Sequence, residues 1–313
     1  MTARLFLFPP RRRGSRARPP QAALLADGRR LHLQDGPIDL VIEAMGEEDA
    51  VQAAYAAAVE RFGGLLAALC AELDALRTPS GRGAPALTHP AARRMGLAVA
   101  PFADEVFITP MAAVAGAVAE EVLDALVLPG ITRAYVNNGG DIALHLPAGA
   151  RFAVGLVDRP DQPRLIGAAE LDADGPVRGV ATSGWRGRSF SLGIADAVTI
   201  LAPTAAMADA AATVVANAVD LPGHRGVVRV PACDLSPDSD LGTLPVTREV
   251  PDLTAAERTE ALEAGLGVAR ALVARGLICA AALHLKGESV GTGPGLLSLP
   301  PMAADVPPSP QPR

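Results

Sequence analysis

The spacing of apolar residues divides most of the chain into hairpins and helices. Residues 29–34 and 38–44 read as two strands joined by the turn residues Asp35-Gly36-Pro37, which predicts a β-hairpin. Residues 47–77 place apolar side chains at helical spacing, with acids at the start and Arg77 at the end, as the helix dipole favours. Further strands are expected at residues 133–136, 142–146, 152–157, 177–182, 196–201, 226–230 and 280–285.

Three more long helices are expected further along the chain. One begins at Pro110, a second covers residues 205–219, and a third begins at Thr254, where a glutamate three residues later completes a capping box. Residues 98–109 are predicted to be extended and residues 231–252 to form a loop. Hairpins alternating with long helices predict an α+β fold, with antiparallel or mixed sheets and long helices packed on them.

Composition and charge narrow the class of partners. Half of the residues are hydrophobic, only 3% are aromatic, and the net charge is −6. All charges in the first eighteen residues are arginines, so the rest of the chain is more acidic than the total and repels nucleic acid. We expect residues 1–20 to be a disordered Arg/Pro-rich arm, residues 21–299 one domain, and residues 300–313 a disordered Pro-rich tail.

The apolar segments do not match a targeting signal or a membrane span. Residues 5–8 are apolar but precede the basic residues, the reverse of a secretory signal. The apolar stretch at residues 111–127 is interrupted by Glu120, Glu121 and Asp124. The expectation is a cytoplasmic protein with no membrane or nucleic-acid partner, whose Ala/Gly-rich helices could assemble a homo-oligomer.

The helix expected at residues 205–219 carries a polar stripe. Asp209 and Thr213 project from one face about one turn apart, and such hard oxygen ligands suit Mg²⁺, which completes its octahedron with water and substrate phosphates. Asn217 continues the stripe, which is costly in a core unless it meets partners. The structural alternative is a first-turn acid and a threonine bonding back to the carbonyl four residues earlier.

A glycine pair joins two of the predicted strands. Asn138, Gly139, Gly140 and Asp141 are typical of a tight hairpin turn, and this role alone explains them. In the functional alternative, the two glycines let the backbone approach a ligand while Asp141 contacts its polar edge or supports a metal site. Both interpretations stay open.

Thr182, Ser183 and Gly184 end another predicted strand and lead into a loop that contains Arg186 and Arg188. Hydroxyl groups and guanidinium forks together favour anionic oxygens, as in a phosphate-binding loop. An ordinary turn beside solvated arginines is the structural alternative.

The order of these motifs resembles a known superfamily. Over residues 108–220 the chain is similar to the ApbE-like superfamily of FAD:protein FMN transferases. The likeness rests on the order of four motifs: N-x-GGDI, then ATSG, then a strand ending in A-P-T, then A-D-A-x-A-T. GPIDLVIEA, ITPMAAVAGAVAEEV and GVATSGWRGRSFSLGIADAV extend the likeness over most of residues 28–285 and look most like its uncharacterised cytoplasmic branch. The resemblance implies an ApbE-like architecture related to the T-fold.

The resemblance also implies a chemistry and its ligands. In the characterised transferases Mg²⁺ bridges the pyrophosphate of FAD, a target threonine attacks, and AMP leaves as FMN becomes attached. By that likeness Asp209 and Thr213 would be catalytic and hold the metal, and residues 138–141 would line the nucleotide pocket. Residues 182–184 would border the flavin or phosphates. The implied partners are a flavin or related nucleotide coenzyme and a protein acceptor.

Two segments depart from the pattern of the superfamily. Ala115 stands where its characterised members carry a lysine and Glu120 where they carry an aspartate, and their His-x-x-Asp-Pro run is missing after residue 184. Three hypotheses follow. The chain is a Mg²⁺-dependent enzyme acting on FAD or a related diphosphate, a non-catalytic flavin- or coenzyme-binding module, or a structural oligomer.

Overall fold

The computed structural model describes residues 20–159 and 161–298, so the expected tail and nearly all of the expected arm lie outside the described residues. The strands are β1 Gln21–Leu24, β2 Leu31–Asp35, β3 Ile38–Gly46, β4 Ile131–Asn138, β5 Asp141–His145, β6 Arg151–Val157, β7 Leu165–Asp172, β8 Gly179–Ser183, β9 Ala197–Ala202, β10 Val228–Pro231, β11 Pro245–Glu249, β12 Ala280–Leu285, β13 Glu288–Thr292 and β14 Leu296–Ser298. The α-helices are α1 Glu48–Phe62, α2 Leu65–Ala71, α3 Leu73–Leu76, α4 Pro90–Val99, α5 Val114–Leu126, α6 Ala205–Ala218, α7 Ala232–Leu235 and α8 Ala255–Ala274.

Most of the described strands belong to one large sheet. Nine of them pair in the order β1-β2-β3-β4-β5-β8-β9-β12-β13, while β14, β7 and β6 form a second sheet and β10 pairs with β11. Every described pairing is antiparallel. The α+β class expected from the sequence is confirmed.

The main hydrophobic core lies between the large sheet and the helices. Strand β3 alternates buried and partly buried residues, as the two-residue period of a strand requires, and its buried positions are Ile38, Leu40, Ile42 and Ala44. Helices α1, α5, α6 and α8 cover this face. A smaller core, which includes Leu144, Leu171 and Val180, lies between the other face and the three-stranded sheet.

Several segments differ from the sequence-based expectation. The helix expected over residues 47–77 is three shorter helices, because the chain turns at Gly63 and at Gly64, whose φ is +88°, and leaves helical geometry again at Glu72. Most of residues 98–109 is not extended: α4 continues to Val99 and a 3₁₀ turn follows at Ala100–Phe102, while Thr109 has extended backbone angles. The loop expected at residues 231–252 contains α7 and β11, and β1, β7, β13 and β14 were not anticipated.

One apolar stretch has the dimensions of a membrane span. Residues Glu48–Ala71 have a mean hydropathy of 1.3, and no other helix of the described residues satisfies the same criteria. This stretch comprises α1 and α2, which meet at two glycines, and Tyr55, Val59 and Phe62 are buried in the main core. Length and hydropathy are therefore weak evidence here, since a core helix has both.

His284 in β12 makes stability depend on pH. Burial lowers the pKa of its imidazole, while the charges of Asp196 and Asp158 raise it and that of Arg164 lowers it further. Because the folded protein binds this proton less tightly than the unfolded chain, the contribution is complete above the unfolded pKa of about 6.5 and is lost as pH falls through the folded pKa. His284 Nδ1 lies 2.7 Å from Ser289 Oγ, and an amide at this position retains a polar partner for that hydroxyl.

We therefore expect the His284→Asn variant to lose less unfolding free energy than the native chain when pH falls from about 7.5 to about 5.5. Urea titrations at both pH values give the comparison. The variant's free energy of unfolding at the higher pH, compared with that of the native chain, measures the packing cost of the substitution and serves as the internal control. An equal loss in both chains contradicts the prediction.

Candidate functional site

Helix α6 carries Asp209 and Thr213 and runs beside β8 in the same direction. Gly179 begins β8 and faces the start of α6: a Cβ on this glycine would lie 2.2 Å from the carbonyl oxygen of Thr204. Gly193, which precedes β9, lies against the other end of α6, because a Cβ there would lie 2.1 Å from the carbonyl oxygen of Ala216. Glycines at both ends thus let the helix approach the sheet closely.

The start of α6 is fixed by two polar side chains. Thr204 Oγ1 accepts a hydrogen bond from the Met207 N–H at 3.2 Å, and Glu120 Oε1 accepts one from the Ala206 N–H at 2.8 Å. Glu120 also binds Arg94, which pairs with Glu121 and Asp124. In this protein Glu120 therefore connects α5 to the first turn of α6.

Helix α5 holds the carboxylate of Asp209 in place. A Cβ on Gly116 would lie 2.2 Å from the carbonyl oxygen of Ala205, so the backbones of α5 and α6 are in direct contact at this glycine. The Gly116 N–H donates to Asp209 Oδ2 at 3.0 Å, and the Ala115 N–H also bonds to this carboxylate. The sequence analysis did not identify this support, although the run of small residues around Gly116 indicates a close approach of two backbones.

The turn between β4 and β5 lies beside the same helices. Gly139 and Gly140 have φ angles of +67° and +118°, and Asn138 pairs with Asp141 across the ladder, so the two glycines form a two-residue hairpin turn. We call it the twin-glycine turn. Asn138 is buried, and its Nδ2 donates to the Ala115 carbonyl at 3.1 Å, which ties the turn to α5.

Asp141 and Asp209 come together although 68 residues separate them in the sequence. Asp141 Oδ1 accepts a hydrogen bond from the Thr182 N–H at 3.1 Å, which links β5 to β8. Both carboxylates are surrounded by protein on most sides yet keep part of their surface accessible. We refer to them as the carboxylate pair. No Lys, Arg or His within residues 20–159 and 161–298 forms an ion pair with either of them.

The environment of the carboxylate pair opposes two negative charges. Burial raises the pKa of Asp141 to about 7, although the hydrogen bond from Thr182 lowers it. Burial, and secondly the charge of Asp141, raises the pKa of Asp209 well above its usual range despite hydrogen bonds from Gly116 and Ala115. A shared proton or a bound cation would relieve this repulsion, so the pair is suited to bind either.

Two hydroxyl groups lie further along the same elements: Thr213 is one helical turn beyond Asp209 on α6, and Ser183 follows Thr182, whose N–H binds Asp141. Helix α6 and strand β8 run side by side from Ala205 and Gly179, which are in contact. Thr213 is about 12 Å along α6 from Ala205, and Ser183 is about 13 Å along β8 from Gly179, so the two residues lie at a similar distance along the adjacent elements. Ser183 alternates onto the strand face that Gly179 presents to α6. Within the described chain neither hydroxyl has a hydrogen-bond partner. The back-bonding threonine of the structural alternative is therefore not observed.

Other residues predicted for the site have structural contacts. The Thr182 side chain lies on the sheet face opposite α6, where its Oγ1 is 2.9 Å from Thr199 Oγ1, so only its backbone N–H reaches Asp141. Gly184 allows close packing, because a Cβ there would lie 2.6 Å from the Asp196 carbonyl oxygen. Asn217 accepts hydrogen bonds from the loop that precedes β9.

Two cavities of the described chain lie away from the carboxylate pair. One of about 330 Å³ lies between α4, α5 and the start of α6, and another of about 570 Å³ lies beside α4 and the loop that precedes it. Neither is lined by Asp141, Asp209 or Thr213. The space above Gly140 is open, since a Cβ there would meet no atom within 4 Å. Across the described residues, no group of three His, Cys, Asp or Glu side chains could hold a metal.

These features define an α+β protein with a large antiparallel sheet, one helix-covered face and a carboxylate pair beside a hairpin turn. The family described as "AbpE bacteria" matches residues 22–291, and the chain belongs to this family. The sequence-based assignment to the ApbE-like superfamily is thereby confirmed.

Curated relatives match part of the chain. A UPF0280 protein of Methanothrix thermoacetophila is 38% identical over 124 residues, which cover 36% of this chain and 46% of the relative. A UPF0280 protein of Methanopyrus kandleri is 40% identical over 126 residues, covering 40% and 48% respectively. The chain thus spans about half the length of these relatives. An apo crystal structure of the Pseudomonas stutzeri flavinyl transferase ApbE matches with a TM-score of 0.33 and 17% identity, over 59% of this chain and 50% of that one.

Proposed function

We propose that this protein is a Mg²⁺-dependent enzyme that acts on the diphosphate of FAD or a related nucleotide coenzyme. The observation that carries the proposal is the carboxylate pair, whose two acids lie together without a cationic partner among the described residues. Family membership supports the flavin, because the ApbE-like resemblance implies FAD as the substrate. A cytoplasmic location remains an expectation of the sequence.

The residues around the carboxylate pair suit a magnesium ion. Asp209 offers a carboxylate that two backbone N–H groups orient, and Thr213 offers a hydroxyl with no partner in the described chain. Mg²⁺ needs few protein oxygens where phosphate oxygens also bind it, so a site with fewer than three acidic ligands is chemically adequate. When bound, the ion would neutralise charge on the transferring phosphoryl group.

The proposed reaction is a phosphoryl transfer. The oxygen of an acceptor hydroxyl, from a protein or from water, forms a bond to the flavin-side phosphorus. The bond from that phosphorus to the bridging oxygen breaks, AMP leaves with this oxygen, and the hydroxyl proton passes to a base. The twin-glycine turn and Ser183 would orient the phosphates, and the Gly116 N–H would keep Asp209 in position.

A non-catalytic coenzyme-binding module is the second candidate. It is favoured by Ala115, which presents only a methyl group where the characterised transferases of the superfamily carry a lysine. The N–H of this alanine still bonds to Asp209, so the local backbone supports the carboxylate without supplying a cationic side chain. A module of this kind would bind flavin without releasing AMP.

Incubation of the full chain with FAD and Mg²⁺ distinguishes the two candidates. We expect AMP and FMN, or an FMN adduct, to form with Mg²⁺ and to disappear when EDTA is added, as chromatography and mass spectrometry can measure. Flavin binding without AMP would favour the module. If no AMP or FMN forms and no flavin binds, both candidates are rejected.

A further inference from the structure

The two arginines that follow β8 differ in their contacts. The Arg186 guanidinium lies 4.2 Å from the ring centroid of Trp185, and its Nε donates to Asp196 Oδ1 at 2.8 Å. Asp196 also accepts from the Trp185 Nε1–H and from the Lys286 N–H. These contacts of Arg186 fix the loop against the residue that precedes β9.

Arg188 lies over the twin-glycine turn and is exposed. Its Nη1, Cζ and Nε would be 3.1, 3.6 and 3.9 Å from a Cβ on Gly139. The guanidinium therefore occupies the space that a side chain would fill at this position. Within the described chain it has no hydrogen bond and no ion pair. Loop anchoring by Arg186 and the missing side chain of Gly139 together bring a free cation to the turn.

Arg188 lies against Gly139, and Asp141 of the carboxylate pair directly follows Gly140, above which the space is open. Within the described chain Arg188 forms no ion pair with Asp141 or Asp209, so its charge is not used by the carboxylate pair. A ligand that carries anionic oxygens together with a divalent cation would satisfy both the guanidinium and the carboxylate pair. Its oxygens would bind the guanidinium, and its cation would bind the carboxylates.

We propose that Arg188 binds the phosphate oxygens of a diphosphate ligand at the twin-glycine turn, next to the carboxylate pair. This inference rests on the proposed function and adds a recognition residue to it. A guanidinium fork binds two phosphate oxygens at once, and the bare backbone of the glycines allows a close approach. Arg188 would thus supply the positive charge that the alanine at position 115 does not.

Isothermal titration of the full chain with inorganic pyrophosphate, at a fixed excess of Mg²⁺, tests the assignment without requiring turnover. We expect the Arg188→Gln variant to raise the Kd for pyrophosphate at least about tenfold, since a charge-assisted hydrogen bond contributes about that much. Arg188→Lys should recover part of the loss. Arg248→Gln is the matched control, because Arg248 is also exposed and has no partner in the described chain.

A Kd that stays within about twofold of the native value in Arg188→Gln would overturn the assignment, as would a native chain that does not bind pyrophosphate. The result is separable from the proposed function. Pyrophosphate binding that depends on Arg188, with no AMP released from FAD, keeps the inference and rejects the enzyme. AMP release at an unchanged KM in Arg188→Gln keeps the enzyme and rejects the inference.

Discussion

Replacing Asp209 by asparagine is expected to lower the rate of AMP release from FAD by at least about 100-fold. The side chain keeps its size and an oxygen that can accept from the Gly116 N–H, so the geometry of α5 and α6 is preserved. The variant loses the charge that would bind Mg²⁺. The expected effect is therefore on chemistry and cation binding rather than on folding.

The same variant is expected to be more stable than the native chain when no divalent cation is present. Asp209 is a buried acid beside Asp141, and removing its charge relieves both the desolvation and the repulsion that raise its pKa. Addition of Mg²⁺ should stabilise the native chain by mass action and leave Asp209→Asn unchanged. Thermal unfolding at several Mg²⁺ concentrations measures both effects.

Asp238→Asn is the matched control for Asp209→Asn. It makes the same chemical change in an exposed carboxylate on the loop between β10 and β11. We expect this control to match the native chain in turnover and in its response to Mg²⁺. An Asp209→Asn variant that retains turnover, or that Mg²⁺ still stabilises as it does the native chain, would reject the magnesium site.

Local features of the fold could be read from the sequence, whereas the order of the large sheet could not. The β2–β3 hairpin follows from its turn residues, and α8 begins with the predicted capping box of Thr254 and Glu257. Both depend on neighbours in the chain. The pairings of β5 with β8 and of β9 with β12 join distant segments and leave no local signal. The strand β13 has alternating but weakly apolar residues, and its glycine obscures the pattern.

The same distinction applies to the candidate site. The one-turn spacing of Asp209 and Thr213 is a property of the helix alone, so it could be predicted once α6 was recognised. The meeting of Asp209 with Asp141 depends on the sheet order and was not predicted, since the resemblance implied only that Asp209 holds the metal and that Asp141 lines the nucleotide pocket. Successive side chains of a strand point to opposite faces of the sheet, so an error of one residue reverses the expected face. Thr182 was expected beside the ligand, but its side chain points away from α6.

The glycine at position 116 is expected to be among the most sensitive positions for stability. Gly116→Ala introduces a Cβ that would lie 2.2 Å from the carbonyl oxygen of Ala205 and 2.7 Å from the Ala206 nitrogen. These are backbone atoms at the start of α6, so the clash can be relieved only by moving one helix. We expect the free energy of unfolding to fall by about 3 kcal/mol, the upper part of the range for overpacked cores.

The displacement should also reach the site, because the Gly116 N–H donates to Asp209 and the two helices move together. Gly267→Ala is the control: this exposed glycine lies inside α8, and a Cβ there would meet no atom within 4 Å. Its replacement should stabilise the protein by about 0.5–1 kcal/mol, since alanine favours the helix and nothing opposes it. Urea titrations of the two variants should therefore shift in opposite directions, and a Gly116→Ala chain as stable as the native one would mean that α5 and α6 are not in backbone contact at this position.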